Sequence, residues 1–193
     1  MLSSSVSSPW AGIMLWRALK LTTLSPSLSM PQDSVEYPYG LDYEWYAVDL
    51  AGHIAVFHTS GDGLVPEYAL KLCETQDLLS ECISQLPVRG WTTMLVSMPG
   101  SEPDFCAKFS DRGIFVYEWA ATYSPRIHHS RVSEPFSRPI YELYSGPTSP
   151  IGIAELPEQI QLLLREQPAC PMLFNSSPFV NVRPLFPCVE REE

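Results

Sequence analysis

The chain has 193 residues, 45% of them apolar, with a mean hydropathy of -0.02 and a formal net charge of -10. Length and apolar content suit one domain with a core of its own and argue against wholesale disorder. The acidic balance argues against nucleic-acid binding, which needs Lys and Arg to neutralise phosphates.

Residues 1–30 stand apart: Ser-rich, free of acids, and ending in a second methionine, Met30. The apolar stretch Ala11–Trp16 precedes Arg17 and Lys20, the reverse of a secretory signal, and is too short to span a bilayer. The segment reads as a poorly structured extension, with Met30 as an alternative start or the segment as a transit peptide. A single domain then covers residues 31–193.

Tyr43–Leu50 and His53–Thr59 are rich in aromatic and β-branched residues and flank Ala51-Gly52, so they predict a tight hairpin. Period two sets Tyr43, Trp45, Ala47 and Asp49 on one face and Glu44, Tyr46, Val48 and Leu50 on the other. Neither strand has a wholly polar face, so both sides of the hairpin should be covered. Ser60-Gly61-Asp62-Gly63 predicts a loop. Pro66 and Glu67 suit the first turn of a helix running to Leu86, with Leu72, Leu79, Cys82, Ile83 and Leu86 inward. Trp91–Met98 predicts a strand, Pro103–Arg112 a helix capped by Gly113, and Ile114–Trp119 a strand. A loop with His128-His129 follows, then a strand over Pro139–Tyr144 and a helix over Pro157–Gln167. Met172–Phe174 and Phe179–Leu185 read as closing strands. The expected fold is α+β, a mostly antiparallel sheet with about three helices packed on one side.

Five cysteines at irregular spacing do not form a disulfide framework; Cys73 and Cys82 read as small buried residues, in a reducing cytoplasm. No metal site is expected: Cys-x-x-Cys and HExxH are missing, and His53 and His58 fall on opposite faces of one strand. No cofactor is expected, because Walker and GxGxxG loops are missing. No catalytic residue is assigned. The one local arrangement that resembles chemistry is His58 with Asp62 beside the glycine loop, the basis of an alternative reading as a small hydrolase-like or ligand-binding enzyme.

Charge is the stronger signal. Residues 31–86 hold ten acids and one base, Lys71. Tyr37, Tyr39, Tyr43, Trp45 and Tyr46 interleave with Asp33, Glu36, Asp42 and Glu44, giving a surface that can stack on and pair with Arg or Lys; the alternative is that Trp45 and Tyr46 belong to the core. The expected function is non-enzymatic binding of a basic protein, with Glu36, Tyr39, Asp42, Glu44 and Asp62 at the contact. A structural domain without a site of its own is the remaining alternative.

The phrase Glu44–Pro66 resembles the opening hairpin of small bacterial proteins, and Gly113–Trp119 and the Leu156-Pro157 helix start resemble their later blocks. Some of these are similar to toxin-immunity proteins of the cell-wall-regulator-like superfamily. The resemblance covers about residues 40–185. It implies an acidic α+β domain that occludes a basic toxin, and it brings no catalytic residues with it.

Overall fold

In the computed structural model, residues 40–96, 103–120 and 140–189 are described, all within the compact unit Val35–Glu193. The expectations for residues 1–39, with Glu36 and Tyr39 among them, and for His128-His129 lie outside the described residues.

The first hairpin forms from β1 (Glu44–Val48) and β2 (Ile54–His58), in antiparallel register from Glu44 opposite His58 to Val48 opposite Ile54. Its turn is one residue longer than the Ala51-Gly52 pair implies. The Asp49 N–H bonds the His53 carbonyl at 2.9 Å, enclosing Leu50, Ala51 and Gly52, and Gly52 takes φ +82. A three-residue loop ending in a left-handed glycine has this geometry. The Asp49 side chain explains the extra residue. Its Oδ1 accepts the N–H groups of Ala51 and His53, and its Oδ2 accepts that of Phe174. Asp49 is therefore a buried structural anchor.

The short strand β3 (Val65–Pro66) leads into α1 (Glu67–Lys71) and α2 (Cys73–Ser84). The single helix expected from Pro66 to Leu86 is broken at Leu72, whose φ of −109 and ψ of 31 leave the helical region. The break lets α1 and α2 serve different cores. Tyr68 before it donates its hydroxyl to the Tyr46 carbonyl, and Gln76 after it accepts the Tyr46 N–H. Both outward backbone groups of Tyr46 are thereby satisfied by side chains, and the Val48 carbonyl accepts the Cys170 N–H, which blunts an edge strand. Cys73 is exposed and Cys82 half-buried, a correction to their expected burial. The inward stripe is Gln76, Leu79, Ile83 and Leu86.

The chain continues through β4 (Thr92–Met94), α3 (Pro103–Ser110), β5 (Phe115–Trp119) and β6 (Ile140–Pro147). Then come α4 (Glu158–Arg165), β7 (Phe179–Asn181) and β8 (Cys188–Val189). The main sheet runs β1-β2-β5-β6-β4, with β7 also on β6, while β3 and β8 make a separate pair. All pairings are antiparallel except β2 with β5. The α+β, mostly antiparallel expectation holds, with four described helices because the first is divided.

The alternation of β1, β2 and β5 divides the interior into two cores. Trp45 stacks on Phe57 at 4.0 Å between ring centroids, and Phe57 on Tyr117 at 4.9 Å, in a row across three strands. Ala69 and Leu70 of α1 join this core. Tyr46, Val56 and Val116 share the other core with residues of α2, α3 and α4. Trp45 and Tyr46 are both fully buried, so they are core residues and not anchors for a partner.

Gly113 ends α3 at φ +95, and a Cβ there would sit 2.8 Å from the Ile151 nitrogen. Gly52 has a similar φ, but its Cβ would meet only Ile153 Cγ2 at 3.5 Å. Gly113→Ala should therefore cost about 2–4 kcal/mol, backbone strain plus overpacking, and Gly52→Ala about 1 kcal/mol. Urea unfolding of the two variants checks this; equal losses would contradict it.

Candidate cation-binding cleft

Asp42 enters the sheet just ahead of β1, and Glu44 is the first residue of that strand. Across from them α2 presents Asp77, Ser80, Glu81 and Ser84, a spacing that puts all four on one helical face. These side chains, with Tyr43, Gln76 and Lys108, line an open cleft of about 390 Å³. Four carboxylates and one ammonium therefore face a shared volume.

The cleft walls are held by hydrogen bonds. Glu44 Oε2 accepts the Ser80 hydroxyl at 2.8 Å and the Tyr46 hydroxyl at 3.3 Å. Burial and the Glu44 charge raise the Tyr46 phenol well above its ordinary value, which keeps it a donor. Tyr43 donates to the Ala69 carbonyl at 2.9 Å and its N–H to Thr59 Oγ1 at 2.8 Å. Burial likewise raises its phenol, with Cys73 and Asp77 adding to the shift. Gln76 is tied to Gln167 at 2.9 Å.

Behind the cleft lies a row of polar residues in register across four strands. Glu44 faces His58, His58 faces Glu118, and Glu118 faces Glu142. Alternation puts them on the side of the sheet that carries Tyr46, Val56 and Val116. His58 is fully buried, its ring 5.6 Å from that of Phe109. Burial first, and the Lys108 charge second, hold its imidazole down to about 3. The 3.8 Å approach of His58 Nδ1 to Glu44 Oε1 is therefore a contact with a neutral ring, not an ion pair. Glu118 shifts the other way: burial first, then the Asp42 charge, push its carboxyl up to about 8, against a hydrogen bond from Ser60.

Of the residues predicted at a partner contact, Asp42 and Glu44 are brought together in the cleft lining, and Asp62 stands exposed on the glycine loop, outside that lining. The pairing of His58 with Asp62 for an enzyme is not supported, since His58 is sealed in the core. Sequence reasoning did not single out Asp77, Glu81 or Glu118 as site residues. Asp77 and Glu81 are one turn apart, opposite the apolar stripe, a signal that was available. An acid inside the apolar strand Phe115–Trp119 is the corresponding signal for Glu118. Among the described residues no group of three His, Cys, Asp or Glu is placed to hold a metal ion, and no helix is long and apolar enough to cross a membrane. No family model, curated protein or solved structure matches this chain.

The two shifted groups give a defined pH response. His58 titrates near 6.5 when unfolded and near 3 when folded, so its contribution to stability is complete above 6.5 and disappears as pH falls to 3. Glu118 moves from 4.5 to about 8, so its contribution is complete below 4.5 and disappears as pH rises through 8. The slopes oppose each other where those two windows overlap. Stability should form a plateau between about pH 4.5 and about 6.5 and decline on either side. Urea midpoints across a pH series check this. Glu118→Gln should remove the decline above the plateau, and His58→Asn should reduce the one below it. A wild-type midpoint that climbs steadily to pH 8 would contradict the assignment.

Proposed function

We propose that the chain is a non-enzymatic binding domain whose acidic cleft receives Lys or Arg side chains of a basic protein. The observation that carries this reading is the convergence of Asp42, Glu44, Asp77 and Glu81 on one open volume with Lys108 as the basic residue of its lining. Carboxylates gathered in a concave site focus negative potential, which steers a basic partner and then pairs with it. The helix α2 supplies the far wall, with Lys108 of α3 beside it. Occlusion of a basic toxin, the mode that the resemblance to immunity proteins implies, is the form of this activity we favour, with a cytoplasmic setting to match. An enzymatic reading would need the raised carboxyl of Glu118 open to the cleft, and Glu118 is not among the lining residues.

Capture of basic proteins from cell extract at low and high salt tests the reading. Asp42→Lys, Asp77→Lys and Glu81→Lys should each weaken capture about tenfold at low salt, and high salt should shrink the difference. Asp62→Lys, which makes the same charge change outside the cleft, should cost much less. If the three cleft reversals leave every specific partner bound as tightly as before, the docking surface lies elsewhere.

A further inference from the structure

The docking reading leaves the half-buried acid Glu118 unused. Glu118 Oε2 accepts the Ser60 hydroxyl at 3.1 Å, and the Ser60 N–H donates to Asp42 Oδ1 at 2.8 Å. One residue thus joins Glu118 to an acid of the cleft. Ser60 holds φ +49, in the left-handed region, without being a glycine. Such a conformation persists where its surroundings fix it, and here two acids hold its two donors.

We propose that cation binding in the cleft is coupled to loss of a proton from Glu118, with Ser60 as the bridge, so that docking releases a proton and tightens as pH rises. This rests on the docking reading above. Besides burial, the charges that keep the Glu118 carboxyl protonated are those of Asp42 and Glu44, and both line the cleft. A cation seated between them cancels their repulsion, which favours the ionised form of Glu118. Linkage is reciprocal: what makes the proton easier to lose makes the cation easier to hold once it is lost. In the step itself the carboxyl O–H bond breaks and the proton passes to solvent.

Two of the other groups packed around Glu118 do not supply this response. His58 on β2 and Cys106 on α3 stay neutral near and above pH 7, because burial holds the imidazole down to about 3 and pushes the thiol up to about 12. Glu142 on β6 is the next residue of the row, and Lys108 on α3 acts on His58.

Calorimetric titration with a blocked arginine octapeptide tests the coupling, at low salt, from about pH 6 to about pH 9, in two buffers of unlike ionisation enthalpy. Arginine does not titrate in that range. Affinity for the wild type should rise about tenfold, equivalent to a shift of about one pH unit in Glu118 on binding, with proton release seen in the buffer dependence. Glu118→Gln should show neither. Equal pH slopes in the two proteins would overturn the coupling and leave the docking reading standing, whereas no binding at any pH would overturn both. Without peptide, the Glu118 carboxyl titration followed by NMR should move to lower pH in Asp42→Asn, which keeps the acceptor for Ser60. An unmoved midpoint would overturn the coupling even if Glu118→Gln failed to fold.

Discussion

The register that links β1, β2, β5 and β6 is the constraint on which the rest depends. It lines up Trp45, Phe57 and Tyr117 on one face, and one residue further along it lines up Glu44, His58, Glu118 and Glu142 on the other. A slip of one residue would turn the aromatic row toward the helices and the polar row into the aromatic core, at a cost no local rearrangement could offset. The stacked rings therefore fix where the acids lie. The parallel step from β2 to β5 is the demanding part, because it needs the long excursion through α1, α2, β4 and α3. That excursion also brings α2 to the outer side of β1, where its acids complete the cleft.

The cleft depends on how that edge strand is closed. Tyr68 and Gln76 take up the carbonyl and N–H of Tyr46, and the break at Leu72 allows both to reach it. An unbroken helix would carry its apolar stripe along one line and serve one core. The bent one buries Ala69 and Leu70 on one side of the sheet and Leu79 and Ile83 on the other. The polar face of α2 is left opposite Asp42 and Glu44. Edge protection and site formation are thus one arrangement.

Much of this was legible in the residues. Alternation identified the hairpin and the faces of its strands, and proline and glycine marked most helix ends. The excess of acids over residues 31–86 marked the charged side of the molecule. The illegible parts were non-local. Nothing in the local pattern of Asp49 says that it will cap Phe174, so the longer turn was missed. The helix from Pro66 read as continuous because no glycine or interior proline marks Leu72. Trp45 and Tyr46 read equally well as surface anchors among acids or as core, and only a second sheet neighbour decides between them. Glu118 was placed on a strand, but not beside the strands that flank it, and those neighbours create its chemistry.

The polar row also shows how a sheet can bury so many ionisable groups. Desolvation penalises whichever form is charged, and it acts in opposite directions on an imidazole and a carboxyl. His58 gives up its proton and Glu118 keeps one near neutral pH, so the two central positions carry no net charge while remaining polar. Glu44, at the open end of the row, keeps contact with the cleft and is held by Ser80 and Tyr46. Past Glu44, the next two residues of the row, His58 and Glu118, thus carry no charge near neutral pH.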